Sequence, residues 1–219
     1  LRKKDARLAA RINSVLNGLF LDPIYKGRYP SALKPLMHLL APVVRSRDLE
    51  TIRQPIDFVG VNHYSRYVAR RTFLPFYGFR FVRPAYENVI FTDFPWEVYP
   101  YGLYEVLRWV RDEYENPPVF ITENGAAFDD EVVNGRIQDS HRIDYFKNYL
   151  RSVDRARREG CRIDGYFVWS LLDNFEWSFG YTKKFGLVHV DFETQKRTFK
   201  ESGLWYAHLC HERSFTYID

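Results

Sequence analysis

The sequence predicts an α/β fold on three observations. Three segments carry apolar residues at helical spacing, three short apolar runs are continuous, and helices and runs alternate along the chain. Continuous runs predict strands buried on both faces, as in a parallel sheet covered by helices.

Leu8, Ile12, Val15, Leu16 and Leu19 fall on one helical face, and Leu21-Asp22-Pro23 is expected to end that helix. Phe58-Val59-Gly60-Val61 is the first apolar run. A second helix over 102–115 places Leu103, Val106, Leu107, Val110 and Tyr114 together, and Asn116-Pro117-Pro118 stops it. Val119-Phe120-Ile121 is the second run. A third helix over 140–158 aligns Ile143, Phe146, Tyr149, Leu150 and Val153, with Asp139 or Ser140 as cap and Gly160 at its end. Tyr166-Phe167-Val168-Trp169 is the third run. Two extended pieces around Thr194-Gln195 predict a hairpin within 182–200. The whole chain, 1–219, reads as a single unit.

Each run ends in polar residues. The first leads into Asn62-His63-Tyr64, the second into Thr122-Glu123-Asn124, the third into Ser170 and then Asp173-Asn174-Phe175-Glu176-Trp177. If the strands are parallel, all three clusters lie at their carboxyl ends, where α/β folds place their sites.

Composition narrows the function classes. A net charge of +4 argues against a nucleic-acid partner unless the basic residues cluster. The densest cluster, Arg151 to Arg162, falls on the late turns of a helix and reads as a solvated face. Cys161 and Cys210 match no metal or redox spacing and do not fix a compartment. His208-Leu209-Cys210-His211 is too short and terminal to read as a metal site. No apolar run reaches the roughly 18 residues of a membrane span, so no membrane partner is expected. The 18 Phe, 16 Tyr and 5 Trp exceed what an ordinary core uses; stacking on sugar faces or on bases uses the same residues.

Glu123 is the first candidate for chemistry. A carboxylate above a hydrophobic strand serves as nucleophile, general base or metal ligand; the bland alternative is a turn residue or cap. Asn124-Gly125 is a hairpin signal, but an acidic loop, not a second apolar strand, follows it. Tyr64 is either a packed tyrosine or a donor to a carboxylate. Neighbouring His63 reads as structural. Glu176 beside Trp177 pairs an acceptor with an indole donor, a set suited to adjacent hydroxyls. Trp169 is a stacking wall or a core residue. Asp173 and Asn174 read as loop-orienting or capping residues.

The segments DFVGVNHYSRYV (57–68), PPVFITENGAAF (117–128) and DGYFVWSLLDNFEWSFGYTKKFGLVHVDF (164–192) resemble glycoside hydrolase family 1, the β-glucosidase family. GLFLDPIYKGRYP (18–30), WEVYPYGLYEVL (96–107), RIDYFKNYL (142–150) and TFKESGLWYA (198–207) extend the resemblance over nearly the whole chain, weakly at 70–92 and after Ala207.

The resemblance implies the C-terminal portion of a (β/α)8 barrel, about three of its eight strands with flanking helices and a small hairpin. It implies retaining hydrolysis of terminal β-linked sugars and no metal or organic cofactor. By motif position Glu123 is the nucleophile and Tyr64 its hydrogen-bond donor. Glu176 and Trp177 bind sugar hydroxyls, Trp169 is the platform beneath the sugar, Phe185 lines the same pocket, and Trp96 approaches the leaving-group side.

Retaining enzymes need a second carboxyl group about 5–5.5 Å away as acid/base. The family supplies it from an Asn-Glu-Pro motif that this sequence lacks. The expected partners are therefore a small β-glycoside or oligosaccharide, together with the complementary N-terminal half or a second copy. Leu1, not Met, stands first, and an upstream segment is expected. Two other readings remain: a sugar-binding remnant without hydrolysis, and an interaction module built on aromatics and arginines. A phosphorylated sugar would meet charge repulsion at Glu176.

Overall fold

A computed structural model describes residues 3–33, 45–72, 78–130 and 132–212. The ends of the chain and Glu131 of the acidic loop lie outside them. Its contacts group into two compact units, Leu1–Asp57 with Tyr67–Pro84, and Phe58–Arg66 with Ala85–Asp219.

In the first unit α1 spans Lys3–Leu16 and α2 spans Gly18–Lys26. The expected stop at Pro23 is corrected. Pro23 lies inside α2, and the chain breaks earlier at Asn17-Gly18, both weak helix formers. Gly27, at φ 62°, closes α2 by donating its N–H to the Pro23 carbonyl at 3.2 Å. Helix α3, Ser46–Ile52, opens with Asp48 accepting the Arg45 N–H at 2.8 Å. Strands β2, Val68–Arg71, and β3, Phe79–Val82, pair antiparallel.

The second unit holds the parallel sheet. Strands β1 (Val59–Asn62), β4 (Val119–Asn124) and β7 (Ile163–Val168) lie side by side in the order β1-β4-β7. Each connection between them carries a helix, α4 (Pro100–Glu113) or α5 (Ser140–Arg158). Pro100 stands at the first helical position, where a missing N–H costs nothing. Leu103, Leu107 and Val110 of α4, Phe146, Tyr149 and Val153 of α5, and Val119 and Ile121 of β4 are buried. Each such side chain stabilises the fold by roughly 1.5–3 kcal/mol. The basic face of α5 is solvated as expected, with Arg157 and Arg158 paired to Asp154 at 3.1 and 2.7 Å.

Among the described residues the sheet is not covered on both faces. One face, with Val59, Val61, Val119 and Ile121, is buried under the helices. The other carries Phe58 and Phe167, which are 50% and 55% exposed. Phe120 lies between them, with Phe58 at 5.0 Å and Phe167 at 6.4 Å. Gly165 makes room, because a Cβ there would lie 2.4 Å from the Phe120 ring.

Two further hairpins complete the unit. Strands β5 (Val132–Val133) and β6 (Arg136–Ile137) are joined by Asn134-Gly135, at φ 51° and 74°. This second Asn-Gly pair makes the tight hairpin that the first does not. Strands β8 (Val188–Val190) and β9 (Arg197–Phe199) form the hairpin expected around Thr194-Gln195, and α6 (Glu201–Glu212) follows.

Candidate active site

The three polar clusters meet at the carboxyl ends of β1, β4 and β7, all within the second unit. Glu123 reaches that end through a bulge. On β1, Val61 and Asn62 pair with Ile121 and Glu123; on β7, Tyr166 and Val168 pair with Ile121 and Asn124. Strand β4 therefore carries one extra residue relative to both neighbours. A bulge reverses the alternation beyond it. Thr122 continues the face of Phe120 and bonds Asn62 at 2.6 Å, while Asn124 turns inward to complete burial. Glu123 is left at the rim.

The Tyr64 hydroxyl donates to Oε2 of Glu123. Burial first, then that hydrogen bond and the charges of Glu123 and Glu176, push the phenol well above its usual range. Tyr64 therefore stays a donor at any physiological pH. Its ring packs on Trp96 at 4.9 Å, and Phe185 stands behind both, at 6.4 Å from Tyr64 and 6.1 Å from Trp96.

Glu176 is nearly buried, and its carboxyl is pushed upward by burial, with a smaller contribution from the charge of Glu123. A hydrogen bond from Trp169 opposes that rise. Tyr64, Glu123, Trp169 and Glu176 thus form one interacting group. Trp177 stands apart: it is 82% exposed, in the short 3-10 turn Trp177–Phe179, at φ 43°. Phe185 is 2% exposed, so it supports the Tyr64–Trp96 wall from behind.

Asn124-Gly125 has a different purpose from the one its letters suggest. Asn124 is fully buried. Gly125 is not among the glycines at positive φ; a Cβ on it would lie 1.8 Å from the backbone oxygen of Trp169. Glycine is required there by close approach of the β4 and β7 ends.

His63 is buried, as expected of a structural residue. Burial lowers its pKa to about 4, so it is neutral at pH 7. In the unfolded chain a histidine titrates near 6.5. A depressed folded value gives stability that is full above the unfolded pKa and is lost as pH falls through the folded one. Unfolding free energy is expected to drop by up to roughly 3 kcal/mol between pH 6.5 and 4 from this group alone. Urea unfolding across that range measures it, and His63→Leu is expected to flatten the slope.

Sequence reasoning missed a buried ionic network. Arg142 donates to both oxygens of Asp130 at 2.9 and 2.8 Å, to Asp139, and to the carbonyls of Lys184 at 2.6 Å and Ala126 at 3.4 Å. Lys200 joins Asp130 at 2.5 Å to Asp173 at 3.0 Å. Asp173 also accepts the Gly186 N–H at 2.8 Å and meets His189 at 3.1 Å. Asp173 does orient its loop, but as an ionic hub. No local motif signals this, since the partners lie up to 70 residues apart.

Comparisons with known proteins give the family and the fold. The family profile described as Glycosyl hydrolase family 1 matches residues 2–215. A 1,4-β-D-glucan glucohydrolase of Thermotoga neapolitana is 44% identical over 98% of this chain and 48% of its own length. β-Glucosidase A of Thermotoga maritima is 45% identical over 87% of this chain and 42% of its own. A solved family 1 β-glucosidase from Thermotoga maritima superposes with a TM-score of 0.89 at 40% identity, over 98% of this chain and 48% of that one. A β-glucosidase from Thermotoga maritima in complex with castanospermine gives a TM-score of 0.86 at 42% identity, over 97% of this chain and 48% of that one. The fold is that of a partial α/β barrel, and the chain spans about half the length of the curated relatives it matches.

Proposed function

The chain belongs to glycosyl hydrolase family 1, and from that premise we propose that it carries the nucleophile and sugar contacts of a retaining β-glycosidase. The observation that carries this reading is the Tyr64–Glu123 hydrogen bond at the carboxyl end of the central strand, beside Glu176 and Trp169.

Tyr64 engages Oε2, leaving Oε1 of Glu123 to attack the anomeric carbon of a β-glucoside-like sugar. The glycosidic C–O bond breaks, and an ester to Glu123 forms with inversion. A proton from a general acid goes to the leaving oxygen. Water, giving its proton to the conjugate base of that acid, then attacks the same carbon, releasing Glu123 and restoring the original configuration. Trp169 forms the floor under the ring. Glu176 accepts hydrogen bonds from its hydroxyls, and the neighbouring indole of Trp177 is the donor offered to them.

The acid/base comes from outside these residues, as the sequence contains no Asn-Glu-Pro triplet. The face of the sheet bearing Phe58 and Phe167 is where the complementary half docks, with self-association the result of withholding it. The missing triplet is also the observation behind a second reading, a sugar-binding remnant that performs no hydrolysis.

A dinitrophenyl 2-deoxy-2-fluoro-β-glucoside separates the two. Its leaving group needs no protonation, and the fluorine slows loss of the ester. Intact-mass and peptide analysis are expected to place one sugar on Glu123. A folded chain that binds the sugar but gains no adduct supports the remnant.

A further inference from the structure

Asn124, the last residue of β4, is fully buried behind the Tyr64–Glu123 pair, and its hydrogen bonds reach the ends of β1 and β7 and helix α5. Its amide donates to the carbonyl of His63 at 2.7 Å and to the Tyr145 hydroxyl at 2.9 Å. Its oxygen accepts the Tyr166 hydroxyl at 2.5 Å. Its backbone carbonyl accepts the Trp169 N–H at 2.9 Å. The neighbouring Glu123 carbonyl accepts the His63 N–H at 2.9 Å, and Tyr149 donates to the Tyr64 carbonyl at 3.2 Å.

The carbonyls on either side of the Tyr64 Cα are thus each held by a side chain from beneath. The first of those side chains is the residue following Glu123. A shift of the β1 end against the β4 end moves the Tyr64 hydroxyl off Oε2; the Thr122–Asn62 contact opposes it at the rim, and Asn124 opposes it from the buried side, next to Tyr64 itself. Its amide supplies two donors and an acceptor, and all are used. Neither aspartate nor leucine reproduces that set: aspartate loses the donors, leucine every polar atom.

We propose that Asn124 is a positioning residue, its side chain setting the mutual geometry of Glu123 and Tyr64 by tying the ends of β1, β4 and β7 together. The proposal rests on the reading of Glu123 as nucleophile. It goes beyond that reading by placing the determinant of the pair's geometry in a residue that touches no sugar.

A displacement of about 1 Å in a catalytic group costs on the order of 100-fold in rate. In Asn124→Asp the maximal rate of adduct formation on Glu123 with the fluoroglucoside is expected to fall about 30- to 100-fold. Affinity for a neutral sugar-shaped inhibitor, set by Glu176 and the Trp169 ring, is expected to change less than about threefold. Tyr166→Phe removes one partner without opening a cavity; a fall of about three- to tenfold is expected, again in rate rather than affinity.

Both variants are measured well below their unfolding temperatures, and Tyr166→Phe keeps the test decisive should Asn124→Asp fail to fold. Unchanged adduct rates in folded variants, or equal losses in rate and affinity, overturn the positioning role while leaving Glu123 as nucleophile. No adduct in the wild-type chain overturns the nucleophile reading and this proposal with it.

Discussion

In Glu123→Ala, turnover of an activated aryl β-glucoside is expected to fall by about five orders of magnitude, the scale set by loss of a covalent nucleophile whose binding groups survive. The variant retains Tyr64, Trp169 and Glu176, so sugar affinity is expected to persist. Adding azide is the decisive step. The truncated side chain leaves space at the attacking position, and a small anion entering it displaces the leaving group in a single inversion. The expected product is the α-glycosyl azide, identifiable by its anomeric coupling constant. A carboxylate that only binds hydroxyls, as Glu176 is proposed to do, gives no such product when removed. Azide-insensitive turnover of Glu123→Ala within about tenfold of wild type would sink the assignment.

That prediction was reachable from the sequence because Glu123 sits where a short apolar run ends, and the parallel strands place all such ends together. Helix α5 was equally legible. Of its stripe, Phe146, Tyr149, Leu150 and Val153 are buried and Ile143 is half-buried, and its bounds match those expected. The first helix was less so, because Pro23 looks like a stop while the real break is the weaker pair Asn17-Gly18.

Asn-Gly shows why local letters run out. Asn134-Gly135 turns a hairpin through two positive φ angles. Asn124-Gly125 has the same letters, but its asparagine ties the end of β4 to those of β1 and β7 and its glycine clears the Trp169 carbonyl. Nothing within either dipeptide distinguishes them; the contacts that do come from about 20 to 60 residues away. Trp177 marks a different limit. The sequence pairs it with Glu176, yet the two neighbours differ in exposure, the carboxylate nearly buried and the indole open.

Arg142→Met is expected to lower unfolding free energy by about 3–5 kcal/mol, the cost of breaking a buried ion pair from one side. Arg142 is fully buried with all five guanidinium donors engaged, and its removal strands Asp130 and Asp139. Lys200 compensates only in part. It already divides its charge between Asp130 and Asp173, and burial pushes its pKa down despite them. If uncompensated charge is the cause, Arg142→Met combined with Asp130→Asn recovers part of the loss, though a second mutation ordinarily adds to the first. Arg142→Lys keeps the charge but not the fork, and is expected to fall between wild type and Arg142→Met. Urea midpoints at constant slope report all three. A functional loss accompanies the structural one. Arg142 grips Ala126 and Asp130 beyond Glu123 and the Lys184 carbonyl beside Phe185, while Lys200 links Asp130 to Asp173 before Glu176. Sugar affinity of folded Arg142→Met is therefore expected to weaken, because the Glu176 loop loses its anchor to the Glu123 strand. A variant within about 1 kcal/mol of wild type, binding sugar as tightly, would show the network to be dispensable.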